Sequence, residues 1–317
     1  MTQTLNRSIL ITGANTGLGK DVARQLALRN GFDRIYLGCR DPAKAERAKR
    51  DLETVTGSSK FEVVIIDLSD LDSVGAAVAG LSRPIDAVLM NAGGTGGPTP
   101  AALTAHGVTE MFAQNVLGHA ALLEGLLADG EFTGVAVLTG SEAARGVPKL
   151  RIPRPTFVDS SADEFASVID GSFFMGRKYN PVLSYGQVKY LGALWMGAMA
   201  RRRPELRFIT MSPGNTAGTE ALRDQPAPLR FIGNRILLPY LAPALGIGHR
   251  LEYGAARLVT AVTDPSLRSG VFYASEANTV TGPVIDQAEI VPELRDPVIQ
   301  DHAYEAIQRF MPQTAVR

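Results

Sequence analysis

Apolar positions along the chain gather into short, almost uninterrupted runs: SILIT (8–12), RIYLGC (34–39), FEVVIID (61–67), DAVLMN (86–91), VAVLT (135–139), RFITM (207–211) and GVFYA (270–274). A strand with one wet face alternates apolar and polar side chains, so runs without alternation suit strands covered on both faces. Helical patterning fills the segments between them, long enough for crossover helices. The expectation is an α/β protein with a doubly wound, seven-stranded parallel sheet, helices on both faces and right-handed crossovers. No break in composition marks a second domain, so residues 1–317 read as one.

Two stretches interrupt this rhythm. Residues 142–180 include RGVPKLRIPRPTFVDSSADEF, whose prolines and charges predict an irregular excursion rather than a single crossover helix. Residues 219–249 are rich in Pro, Leu and aromatic side chains. Following the sixth strand, they read as a lid over a ligand, with a membrane-surface or dimer contact as the alternatives.

Composition narrows the function classes. Lys plus Arg and Asp plus Glu number 32 each, so no bulk field favours nucleic acid or an anionic membrane. One cysteine, Cys39, forms no internal disulfide, and with four scattered histidines it offers no zinc spacing. A reducing cytoplasm fits that usage best. The N-terminus reaches an apolar strand too early for a signal peptide, and no run of about 20 uncharged apolar residues is present to span a bilayer.

The first run leads into TGANTGLGK (12–20) and then a helical pattern. Glycines there let the backbone turn sharply and let a diphosphate approach the amides of the helix N-terminus, the strand–turn–helix context of a Rossmann fold. A P-loop needs four residues between its first glycine and Gly-Lys-Ser/Thr. Here five separate Gly13 from Gly19-Lys20, and Asp21 replaces the hydroxyl residue, which argues against an NTPase. In PVLSYGQVKYLG (181–192), Tyr185 and Lys189 stand one helical turn apart, so phenol and ammonium share a face about 6 Å apart along the axis. A cation held there favours the phenolate of a group whose free pKa is about 10. Taken alone, the pair is better described as an amphipathic helix with a half-buried tyrosine and a snorkelling lysine.

The turn T-G-x-x-x-G-x-G resembles that of the short-chain dehydrogenase/reductase family, and further motifs follow in that family's order: Asn91-Ala92-Gly93, Asn115 in FAQNVLG, Ser141 in TGSEAA, Tyr185 with Lys189, and Ser212-Pro213-Gly214. The resemblance implies hydride exchange between nicotinamide C4 and a carbonyl carbon. It implies that Ser141 bonds the carbonyl oxygen, Tyr185 protonates it, Lys189 lowers the tyrosine's pKa while holding the ribose, and Asn115 anchors a relay water. It also implies a cofactor site of Gly13, Asn15, Thr16, Gly17, Leu18, Gly19, Asp67, Leu68, Asn91, Ala92, Gly93, Tyr185, Lys189, Pro213, Gly214 and Thr216. Gly38 and Cys39 stand where an NAD-selecting acid is expected, and Arg40 follows, so the expectation is NADP(H) over NAD(H). Asp41 is the competing carboxylate.

GCRDPAKAERA, the excursion and EYGAARLVTAVTDPSLRSGVFYAS resemble the branch containing protochlorophyllide reductases and retinol dehydrogenase-like and WW-domain oxidoreductases. The chain departs from it in YGQVK and in Gly218, which stands where the family often has a cofactor-contacting threonine. The implied substrate is a small molecule, bulky and apolar, with Arg177, Lys178 and Arg230 as anchors. A C=C reductase of the protochlorophyllide type and a non-catalytic NADP sensor are the alternatives. The resemblance leaves homodimer, homotetramer and monomer open.

Overall fold

The computed structural model describes residues 7–82, 84–128, 130, 132–216 and 248–312. Most of the expected lid at 219–249 lies outside them. The apolar runs form β1 (Ser8–Thr12), β2 (Arg34–Cys39), β3 (Phe61–Ile65), β4 (Ile85–Met90), β5 (Phe132–Thr139), β6 (Arg207–Met211) and β7 (Val271–Ser275). They lie in the order β3-β2-β1-β4-β5-β6-β7, all parallel, and the order reverses between β1 and β4. An eighth strand, β8 (Val284–Asp286), corrects the expected seven-stranded parallel sheet: it pairs antiparallel with β7 and forms the edge. Three residues carry no readable periodicity, and a short connection from β7 permits only the antiparallel sense.

Capping explains where the helices begin. Asp41 accepts from Lys44 N–H ahead of Pro42 to start α2 (Pro42–Thr56), and Asp70 caps α3 (Leu71–Ala79). Asn180 accepts from Val182 and Leu183 N–H to start α7 (Pro181–Arg202), again with Pro at the first position. α1 (Gly17–Leu28), α2 and α8 (Leu251–Thr263) cover one face of the sheet, where Ile9, Ile11, Leu37, Leu89, Val137 and Ile209 meet Val22, Leu26 and Leu258. α3, α7 and α5 (Gly118–Ala128) cover the other, where Leu10, Val88, Leu138 and Phe208 meet Val74, Leu122 and Trp195. Successive strand residues thus feed opposite cores. α5 is preceded by α4 (Glu110–Phe112) and a single π-helical stretch, Ala113–Leu117.

The excursion carries short 3-10 turns and one helix, α6 (Ala162–Ile169). With α9 (Pro297–Gln308) it makes a third layer outside α7: Phe165, Val168, Ile169, Ala303 and Ile307 are buried with Leu191 and Leu194. Among the described residues, no helix is long and apolar enough to cross a membrane.

Candidate active site

The glycine-rich turn sits at the C-terminal end of β1, where the strand order reverses, the place at which an open α/β sheet leaves a crevice. Thr16 precedes α1 without a side-chain cap, and the first turn holds no acidic residue, so no side chain claims its amides. Gly17 has φ +55° and open space where a Cβ would be. Gly19 allows the opposite, a close approach: its Cβ would stand 2.5 Å from the Gly13 carbonyl oxygen and 2.7 Å from Asn91 Nδ2. This uncapped helix end fits the diphosphate of a dinucleotide.

Arg40 emerges beyond β2 with an exposed side chain, its Nε 4.0 Å from Asp67 Oδ2. Asp41, the competing acid, is engaged as the cap of α2. The Asp67 carboxylate also accepts from the Ser69 amide and hydroxyl, and Leu68 is buried, its carbonyl packed against Gly118. Cys39 is buried beneath the turn, beside the Ala14 and Asn15 amides, and burial pushes its thiol up to about 11. Asn91 Nδ2 donates to Thr12 O at 2.9 Å, while the Asn91 and Ala92 amides both donate to Thr12 Oγ1 at 2.9 Å. These bonds clamp the turn after β4 onto β1. Leu18 and Pro213 come together with Thr216 around Gly254 of α8, and Thr216 Oγ1 donates to the Pro213 and Gly214 carbonyls.

Tyr185 and Lys189 project from the face of α7 turned to the end of β5 and the turn that follows it. Tyr185 is half-buried, and burial pushes its phenol up to about 12; a hydrogen bond with Ser141 opposes that rise, and the nearby Glu142 carboxylate adds to it. Lys189 is buried and donates to Thr139 O at 2.9 Å, with its Nζ 5.7 Å from the centre of the Tyr185 ring. Burial lowers its pKa to about 8. Ser141 caps the 3-10 turn Glu142–Ala144, its hydroxyl accepting from Ala143 N–H at 3.2 Å. The geometry brings Ser141, Tyr185 and Lys189 into one group. Asn115 stands behind it in the π-helical stretch, donating to Gly94 O and Met111 O at 2.8 Å and accepting from Gly94 N–H at 3.2 Å. Its side chain is thereby committed to holding the loop after Gly93, whose own Cβ would strike Asn115 Oδ1.

Several residues that sequence reasoning passed over converge on this group. Glu142 is buried and accepts from the Ser212 hydroxyl at 2.6 Å and from Ser275 N–H at 3.2 Å, with Arg257 of α8 at 3.9 Å. Arg145, also buried, donates to the carbonyls of Gly146, Ser275, Glu276 and Thr279. Together they tie the ends of β5, β6 and β7. His119 is wholly buried between Thr12 and Asn115. The only sequence signals were adjacency, Glu142 following Ser141, and one-turn spacing, His119 following Asn115. Of the expected anchors, Arg177 stacks over Phe173 at 5.2 Å, Lys178 is exposed, and Arg230 lies outside the described residues, as does Gly218.

The doubly wound sheet with an uncapped glycine turn at its switch point is a Rossmann nucleotide-binding fold. A sequence model of the short chain dehydrogenases matches residues 7–151. The chloroplastic protochlorophyllide reductase B of Oryza sativa subsp. japonica is 33% identical over 306 residues, 88% of this chain and 72% of that protein. Retinol dehydrogenase 12 of Bos taurus is 31% identical over 204 residues, 63% of this chain and 58% of that one. Among solved structures, salutaridine reductase from Papaver somniferum shares the fold with a TM-score of 0.61 at 16% identity, across 85% of this chain and 100% of that chain. The chain belongs to the short-chain dehydrogenase family and is an oxidoreductase.

Proposed function

We propose that this protein, a single domain across residues 1–317, is an NADP(H)-dependent oxidoreductase. It would move hydride between the cofactor and a carbonyl or alcohol of a bulky apolar substrate, with Tyr185 as acid and base. The observation that carries this reading is the grouping of Ser141, Tyr185 and Lys189 at one end of the sheet, beside a glycine turn open to a diphosphate. The bound nicotinamide supplies or accepts the hydride at its C4 position. In the reductive direction Ser141 donates to the carbonyl oxygen as it gains charge, and Tyr185 gives it a proton. Lys189 stabilises the phenolate left behind and donates to ribose hydroxyls with the hydrogens not used on Thr139 O.

Three observations favour NADP(H): Arg40 is exposed just beyond β2, Asp41 is occupied as a cap, and no acid stands at Gly38 or Cys39. A second reading, reduction of a conjugated ring substrate, is favoured by the 33% identity with protochlorophyllide reductase B over 88% of the chain.

NADPH and NADH oxidation across apolar ketones, aldehydes and quinones tests the first reading, and illuminated assays with protochlorophyllide test the second. Turnover with NADPH, lost in Tyr185→Phe, is expected. Arg40→Ala is expected to raise the NADPH Kd by about tenfold, one charge-assisted hydrogen bond's worth, and to leave the NADH Kd unchanged. Tight NADPH binding with no turnover on any substrate would replace both readings with a non-catalytic sensor.

A further inference from the structure

The buried ring of His119 is a titratable group near Lys189 for which the mechanism above has no use. Its Nε2 lies 2.9 Å from Thr12 Oγ1, and its Nδ1 lies 3.1 Å from the main-chain oxygen of Asn115. These partners fix the tautomer. A carbonyl only accepts, so Nδ1 carries the hydrogen. Thr12 Oγ1 already accepts from the Asn91 and Ala92 amides at 2.9 Å, so its own hydrogen is left to donate. His119 Nε2 at 2.9 Å is a nearer acceptor than Leu89 O at 3.5 Å. A second proton on the ring would find no acceptor at Nε2, and burial with the Lys189 charge nearby holds the ring neutral, its pKa lowered to about 3.

An apolar side chain would fill this site without the cost of burying two ring nitrogens. The imidazole instead joins the end of β1 that opens the glycine turn to the π-helical stretch, and the Thr12 hydroxyl it bonds also holds the turn after β4. π-Helical turns change which carbonyls find intrahelical donors, and they recur at functional sites. Here the carbonyl held by His119 belongs to Asn115, whose side chain holds the loop at Gly94.

We propose that neutral His119 is a positioning residue: by donating from Nδ1 to the Asn115 carbonyl and accepting at Nε2 from Thr12, it locks the π-helical stretch that carries Asn115 to the end of β1 that opens the glycine turn. This rests on the reading of Tyr185 and Lys189 as the acid–base pair. The charged groups that bear on the two titrating centres are Lys189 on the His119 side and Glu142 with Lys189 around Tyr185.

The two bonds separate by substitution. The amide nitrogen of Asn reaches the position of Nδ1 and can donate to the Asn115 carbonyl, whereas the amide oxygen of Gln reaches the position of Nε2 and can accept from the Thr12 hydroxyl. His119→Gln therefore keeps the Thr12 link and loses the Asn115 link, and His119→Asn does the reverse. For His119→Gln we expect an unchanged NADPH Kd, a kcat lower by about tenfold (about 1.4 kcal/mol) and a displaced limb in the kcat pH profile. His119→Asn should restore kcat and the limb while weakening NADPH binding. Equal kcat and identical pH profiles in the two variants, with only thermal stability altered, would overturn the proposal.

A second measurement needs neither cofactor nor turnover. Ring 15N NMR of the wild-type protein should show a neutral imidazole protonated on Nδ1 from about pH 5 to about pH 8. A ring protonated on Nε2, or one titrating near its ordinary value of about 6.5, would overturn the proposal whatever the assays give. Absence of turnover in the wild type, with the expected NMR signature, would instead count against the acid–base reading alone.

Discussion

At the scale of single residues, burial drives the two central groups in opposite directions: Tyr185 up to about 12 and Lys189 down to about 8. Lys189 thus loses its charge well before Tyr185 loses its proton. As pH rises through about 8, the phenolate formed in catalysis loses its cation, so kcat/KM for reduction should fall along a basic limb centred there. Stability moves the other way. The folded lysine releases its proton below the unfolded value of about 10.5, so the unfolded chain binds more protons between these values, and stability from this group rises with pH across that window. Lys189→Met should therefore abolish turnover yet melt no lower than wild type at pH 7; a melting temperature several degrees lower would show that Lys189 stabilises the fold. Tyr185, Lys189, Ser141 and Asn115 were legible because each stands in a short string with its own signature. Glu142 was not, because its meaning lies in Ser212 and Ser275, 70 and 133 residues further along. His119 was opaque for the same reason: its partner Thr12 is 107 residues away.

At the scale of elements, the inner strands could be read because burial on both faces leaves continuous apolar runs, and the edge strand β3 keeps a mostly apolar run although Glu62 and Ile65 are exposed, whereas β8 was too short to show a period. FAQNVLG reads as uninterrupted helix, and the π-helical stretch at Ala113–Leu117 accompanies long-range contacts of Asn115 with Gly94 and of His119 with Thr12 that local propensity does not carry. Residues 142–180 advertise irregularity through their prolines, yet α6 within them has only eight residues and is held by what it covers. Phe165 is wholly buried and meets the Phe157 ring edge-on at 5.0 Å, and Phe157 stacks on Tyr190 of α7. Phe165→Ala removes the centre of that layer and is expected to cost about 3–5 kcal/mol in urea unfolding. A loss below about 1 kcal/mol would mean that α6 rests on α7 without contributing to its stability.

At the scale of the whole molecule, the third layer decides which surfaces remain free for a partner. A helix exposed on one side keeps a polar stripe there, but nearly every residue of α7 from Ser184 to Met199 is buried, so it is covered all round. Its outer side lies under α6 and α9, and α9 is fastened at several points. Arg201 bonds Gln300 and Asp301, the Arg202 guanidinium stacks 4.0 Å from the Tyr304 ring, His302 Nδ1 meets Ser160 O at 2.9 Å, and Arg309 pairs with Asp163. Two copies could associate through α7 only by first lifting this layer, which would expose Phe165, Ile169 and Ile307 to water. A stable interface buries about 1,200–2,000 Å² with an apolar centre. Among the described residues, large exposed apolar side chains such as Leu28, Val55, Leu103 and Val298 are spread over α1, α2, the loop after β4 and α9. Sedimentation should accordingly give one species at the 33.8 kDa chain mass over a wide concentration range. A dimer that persists on dilution, and that Phe165→Ala leaves intact, would place an interface on some other face. A dimer that appears only in Phe165→Ala would show that the excursion is what keeps the helix bearing Tyr185 and Lys189 to itself.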